Sequence, residues 1–121
     1  MYELKIKDSF ASAHFLRGYH GPCEKLHGHT WKLEITISSN QLDDIGIVVD
    51  FKEMKTKLKK FLEQLDHVCL NEDVDFFKDN NPSTENMARY IYEEFSKECK
   101  GYKIKQVQVW ESDNCSATYY E

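Results

Sequence analysis

The sequence predicts an α+β protein. Three observations carry that prediction. Two N-terminal segments alternate apolar and polar residues with a period of two. Two later segments carry apolar residues at helical spacing. The strands and helices are then segregated along the chain, not alternated one by one.

The elements follow in order. From Tyr2 to Ile6 the apolar positions are Tyr2, Leu4 and Ile6, with Glu3, Lys5 and Lys7 between and beyond them. That is a half-buried strand, and its parity continues through Phe10 and Ser12 to His14. The second strand spans His27 to Ile37. His27, His29, Trp31, Leu33, Ile35 and Ile37 share one face, and Gly28, Thr30, Lys32, Glu34 and Thr36 the other. One covered face and one wet face is the antiparallel pattern. Phe51, Met54, Leu58, Phe61, Leu62 and Leu65 predict a helix over 51–65. A polar loop with Asn71, Asp73, Asp79, Asn80, Asn81 and Pro82 follows. Ser83 or Thr84 can cap a second helix carrying Met87, Ala88, Ile91, Tyr92 and Phe95, with Gly101 placed to end it. Ile104 to Glu111 reads as a strand. The "SDNC" turn leads to a last strand over 116–120.

Composition narrows the function classes. The 121 residues fit one domain, 1–121, with a core that needs no staples. The net charge of −5 offers no basic field, so nucleic acid and anionic membranes are not expected partners. No apolar run approaches the ~20 residues that span a bilayer. The N-terminal "MYELKIKDSF" lacks a signal-peptide apolar core, which favours a cytoplasmic location. Cys23, Cys69, Cys99 and Cys115 are widely spaced without a CxxC pair, so they read as reduced thiols, the last three as small buried or half-buried groups.

The chemistry-bearing residues cluster in a few places. His27 and His29, at i and i+2 on a strand, point the same way and can reach one ion. His14, at the end of the first strand, offers a third nitrogen. Three histidines without an obvious fourth ligand form the pattern of a catalytic zinc with an open position; the alternative is three core histidines satisfied by hydrogen bonds. Cys23 lies four residues before His27. A thiol beside a divalent cation can become a thiolate base or nucleophile. It could also close the site as a fourth ligand, or be an incidental loop cysteine. Asp66 beside His67 could orient the ring for proton transfer, unless His67 merely meets a helix dipole. Glu111 alternates onto the face of Val107 and Val109, where a carboxylate is costly unless paired or used for binding.

Six blocks then share a resemblance. "FASAHFL", "CEKLHGHTWKLEI", "GIVVDFKEMK", "LDHVCLNE", "NPSTENMARYI" and "VQVWESDNCSATYY" resemble, in order, those of the 6-pyruvoyltetrahydropterin synthase / 6-carboxytetrahydropterin synthase family. The resemblance implies a tunnelling fold: a four-stranded antiparallel sheet with two helices on one face, assembling into a homo-oligomeric barrel, a trimer or a dimer of trimers. Active sites would lie between subunits.

It also implies roles. His14, His27 and His29 would bind Zn2+. Cys23, Asp66 and His67 would be the catalytic set. Glu111 would anchor the pterin ring, with Ser83 and Thr84 beside it. Arg17 and Lys25 are candidates for meeting a triphosphate. The Cys23-to-HGH spacing is that of the carboxy-forming branch, which converts 7,8-dihydroneopterin triphosphate to 6-carboxytetrahydropterin, acetaldehyde and triphosphate on the way to queuosine. Glu24 stands where some relatives carry a glutamate and form a 6-hydroxymethylpterin for folate synthesis. A pyruvoyl-forming activity and a non-catalytic zinc- and pterin-binding module are the other readings.

Overall fold

The computed structural model describes residues 1–21 and 24–121. Four strands form one sheet in the order β1-β2-β3-β4: β1 (Tyr2–His14), β2 (His27–Ser39), β3 (Lys103–Ser112) and β4 (Cys115–Tyr120). Every neighbouring pair is antiparallel. The helices α1 (Phe51–Leu62), α2 (Leu70–Asp73), α3 (Phe76–Asp79) and α4 (Thr84–Ser96) lie between β2 and β3 in the chain.

The alternation read from the sequence explains the layering. Ile6 and Phe10 of β1, Trp31, Leu33, Ile35 and Ile37 of β2, and Val107 and Val109 of β3 are all buried. They meet Met54, Leu58, Phe61 and Leu62 of α1 and Met87, Ala88, Ile91 and Phe95 of α4 in one core. Helix α4 packs on β3 and β4, and α1 on β1. Both long helices have side-chain caps. Asp50 accepts from the Lys52 N–H at 2.8 Å, and Ser83 accepts from the Asn86 N–H at 3.1 Å.

The structure departs from the sequence-based expectation at four points. Helix α1 ends at Leu62, not Leu65. The Leu65 carbonyl instead accepts from the Ser12 hydroxyl, and the following residues bond to Ala11, so the edge of β1 captures the chain. Leu65 stays fully buried, which is why the apolar period ran past the helix end. The polar segment read as a loop contains α2 and α3, anchored in the core by Leu70, Val74 and Phe77. Gly101 has φ +85° but lies five residues beyond Ser96, so it forms the turn into β3 and does not end α4. Cys69 and Cys99 are half-buried as expected, whereas Cys115 is exposed.

Candidate metal centre and active site

The candidate metal site forms where β1 ends and β2 begins. His14 sits directly opposite His27 in the β ladder, and Ser12 opposite His29. The parity that buries Trp31 therefore turns all three rings to the same side. Their centroids are 4.6 Å apart for His14–His27, 5.0 Å for His14–His29 and 4.7 Å for His27–His29. Trp31 forms the floor, 4.9 Å from the His14 ring and 5.4 Å from that of His29.

Hydrogen bonds set which nitrogen faces inward. The His14 Nδ1–H donates to the Pro82 carbonyl at 2.7 Å, and the His27 Nδ1–H donates to the Lys25 carbonyl at 2.6 Å. A carbonyl only accepts, so each Nδ1 holds the proton and each Nε2 keeps its lone pair. This is the outer-shell arrangement that metal-ligating histidines use. The Nε2 atoms of His14 and His29 are buried without a hydrogen-bond partner. A buried polar atom left that way is costly, and a metal ion would satisfy it. Burial pushes the pKa values of both His14 and His29 down, outweighing the upward pull of the Pro82 carbonyl on His14 and of the Glu111 carboxylate on both, with the neighbouring imidazoles pushing down as well. The neutral ring, which is the form a metal needs, is thus favoured.

Glu111 completes the cluster. One ligand atom each from His14, His27, His29 and Glu111 lie within 4.8 Å of one another. Glu111 Oε1 is 3.0 Å from His29 Nε2 and 3.6 Å from His14 Nε2, close enough for charge attraction but not aligned as hydrogen bonds. Its Oε2 accepts from the Thr84 hydroxyl at 3.1 Å. The β3–β4 register shifts between Trp110 and Ser112, a bulge that re-aims Glu111 at the end of its strand. Ser83, next to Thr84, uses its hydroxyl to cap α4.

Asp66 and His67 lie on the edge of β1. Asp66 Oδ1 accepts from the Ala11 N–H at 2.8 Å, and Oδ2 lies 2.8 Å from His67 Nδ1. These two contacts, the backbone one first, hold the Asp66 carboxyl below its usual pKa. His67 has φ +57°, a left-handed conformation uncommon outside glycine and asparagine. Such backbone persists only where its surroundings enforce it. Here the enforcing contacts are the His67 N–H to the Ala11 carbonyl and the Ala13 N–H to the Val68 carbonyl at 3.0 Å. The His67 side chain is 81% exposed. It opens onto the sheet face that carries Ala11, Ala13, Gly28 and Thr30, which line a shallow groove of about 600 Å³ with it. That face is opposite the one carrying the three imidazoles, so His67 and the histidine centre do not meet within one chain, while Glu111 and Thr84 meet the histidines from the α4 side.

The remaining candidates are peripheral within the chain. Cys23 lies outside the described residues. Glu24 is exposed, its N–H bonded to the Gly21 carbonyl at 3.1 Å. Lys25 is exposed and contributes its carbonyl to His27. Arg17 donates from Nη2 to the Phe77 carbonyl at 2.7 Å. The contributions of Pro82 and of Asn71 and Asn81 escaped the sequence reading. Asn71, Asn81 and Pro82 were read only as residues of a polar loop, and backbone carbonyls leave no side-chain signal.

Fold and site together define a class: an α+β protein whose sheet brings three histidines and a glutamate together at one end, in an arrangement able to hold a metal ion. The chain belongs to the 6-pyruvoyl tetrahydropterin synthase family, whose profile matches residues 3–121. It is 30% identical over 134 aligned positions to a Rickettsia felis protein named 6-carboxy-5,6,7,8-tetrahydropterin synthase, covering 95% of this chain and 97% of that one. It is 36% identical over 96 positions to a Bacillus subtilis protein of the same name, covering 76% of this chain and 64% of that one. The solved 6-pyruvoyl tetrahydropterin synthase of Caenorhabditis elegans superposes with a TM-score of 0.90 at 25% identity, over 99% of this chain and 95% of that one. The fold is thus the tunnelling fold.

Proposed function

We propose that this chain is a zinc-dependent 6-carboxy-5,6,7,8-tetrahydropterin synthase, with residues 1–121 working as one domain. Its substrate is 7,8-dihydroneopterin triphosphate. Its products are 6-carboxytetrahydropterin, acetaldehyde and triphosphate, a step toward queuosine. The observation that carries the metal-dependent reading is the convergence of three imidazoles with two Nδ1–H groups tied to carbonyls. The carboxy product is supported by the names of the Rickettsia and Bacillus relatives.

His14, His27 and His29 hold the zinc. When bound, the ion supplies Lewis-acid polarisation of the substrate's side-chain oxygens, which acidifies a neighbouring C–H bond. The protein's own groups then divide the work. Cys23 as a thiolate takes a proton from the substrate side chain. Asp66 holds His67 through Nδ1, so Nε2 faces the groove and exchanges the second proton. Glu111, held by Thr84, accepts hydrogen bonds from the guanidine-like edge of the pterin. Ser83 and Thr84, at the start of α4, frame that ring. Arg17 and Lys25 are the cations on the loop side.

The groove open at His67 and the exposed edge strands support an assembly. Residues 66–69 cover the edge of β1 at Ala11 and Ala13, while β4 pairs with β3 alone among the described residues. Joining such edges between copies gives a ring, a trimer or a dimer of trimers, with sites completed between subunits. Among the described residues no helix is long and apolar enough to cross a membrane.

Mass spectrometry of the products tests the reading. Purified protein is incubated with 7,8-dihydroneopterin triphosphate with and without a zinc chelator. Chelator-sensitive 6-carboxytetrahydropterin and acetaldehyde establish it. A 6-pyruvoyl product is the second reading, favoured by the C. elegans structure. A 6-hydroxymethylpterin whose yield depends on Glu24 moves the protein to the folate branch. No turnover leaves a binding module.

A further inference from the structure

Among the described residues, the chain leaving β1 has no strand to pair with. The β1–β2 ladder ends where His14 meets His27. The next residues still carry backbone N–H and C=O groups that need partners. Two asparagines meet them. Asn71 Oδ1 accepts from the Phe15 N–H at 3.0 Å, and Asn71 Nδ2 donates to the Phe15 carbonyl at 2.9 Å. Asn81 repeats this on Arg17, accepting at 2.9 Å and donating at 2.8 Å. Phe15 and Arg17 are two residues apart on the stretch between the end of β1 and the turn at Arg17 and Gly18, so the clamps grip the chain at two successive points. Two side-chain amides thus stand in for the rungs of a missing strand. Only a carboxamide offers the acceptor and the donor together; a carboxylate lacks the donor, and an alanine lacks both.

Both clamps adjoin the histidine centre. His14 immediately precedes the first clamped residue. Pro82, whose carbonyl holds His14 Nδ1, immediately follows the second asparagine. The turn that contains them is in turn fixed to α4, because Asn86 Nδ2 donates to the Asn81 carbonyl at 2.9 Å and the Asn86 N–H donates to Ser83. Asn71 is 5% exposed and rises from α2, so the clamp on Phe15 is anchored in the core.

We propose that Asn71 and Asn81 are positioning residues of the metal centre, holding the β1 exit against the 81–83 turn so that His14 keeps its Nδ1 partner and its aim. They touch neither metal nor substrate. The proposal rests on the reading that His14, His27 and His29 bind a divalent cation.

The test uses Co2+ as the probe on the full chain, with Asn81→Asp, Asn81→Ala and Asn71→Ser. Affinity is read by chelator competition, ligand geometry by the visible absorption of the bound Co2+, and fold integrity by thermal unfolding of the metal-free protein. The expected result is a loss of Co2+ affinity of about 10- to 100-fold, the range for outer-shell changes, with shifted absorption bands. Asn81→Asp, which keeps one of the two hydrogen bonds, should lose less than Asn81→Ala. Co2+ affinity within twofold of the parent and an unchanged spectrum in both Asn81 variants would overturn the proposal, even if their thermal stability fell. Should Asn71→Ser fail to fold, the two Asn81 variants still decide. A parent protein that takes up no Co2+ overturns the metal reading and this proposal together, whereas a parent that binds beside unaffected variants overturns the clamp alone.

Discussion

Two histidines on neighbouring parts of β1 sit in opposite environments. At the end of the strand His14 is 1% exposed, its Nδ1–H is fixed to a carbonyl, and burial favours its neutral form. At the edge of the same strand His67 is mostly exposed, faces a carboxylate and sits on a left-handed backbone. A carbonyl partner in a buried site fixes a lone pair for a metal. A carboxylate partner in an open groove orients a ring that can gain and lose a proton. The environment, not the residue type, assigns the role.

That contrast can be broken in several ways. The largest effect is expected at the buried end. His29→Ala should weaken zinc uptake by more than the ~10- to 100-fold that an outer-shell loss costs, measured as metal content after competition with a chelator; a variant retaining full zinc would remove His29 from the ligand set. Next comes His67→Asn. Asparagine tolerates the left-handed backbone, so the fold and metal content should survive while kcat drops by about 10²- to 10⁴-fold, the usual size of an acid–base contribution. Steady-state kinetics beside metal analysis separates the two ends: a matching loss of zinc would show that they are not independent.

Acidity sharpens the comparison further. His14 and His29 have folded-state pKa values below their ordinary ones. In the window under about pH 6.5 the unfolded chain binds more protons than the folded one, so stability rises with pH there. It is fully present above that window and lost as pH falls through it. The metal-free protein should therefore melt lower at pH 5.5 than at pH 7.5, by roughly 2–8 °C, the shift that about 1 kcal/mol produces in chains near this size. Replacing both histidines should flatten that difference in a thermal scan. The smallest effect belongs to Ser83→Ala, which removes the cap of α4. It should cost about 1 kcal/mol, seen in urea unfolding, and leave metal content unchanged.

Much of this was readable from local pattern. The period-two alternation located β1 and β2 and put His14, His27 and His29 on the core side, because side chains alternate strictly along a strand. Helical spacing found α1 and α4. The short α2 and α3 were missed because four-residue turns carry no periodicity, and α1 was overextended because Leu65 is buried without being helical. Asp66 and His67 stood out as a pair, but adjacent residues meet only where the backbone departs from regular geometry. That departure is made by contacts with Ala11, 55 residues away from Asp66 in the chain.

The sequence by itself determined the fold class and the face on which the histidines stand, and it supplied the candidates for metal binding and proton transfer. Those follow from short-range periodicity and side-chain chemistry. Tertiary structure alone decided the Pro82 carbonyl on His14, the two asparagine clamps, the Thr84 grip on Glu111 and the capture of Asp66 and His67 by Ala11. Each joins groups far apart in the chain, several of them backbone atoms that every residue type carries alike. Only packing selects which of them meet.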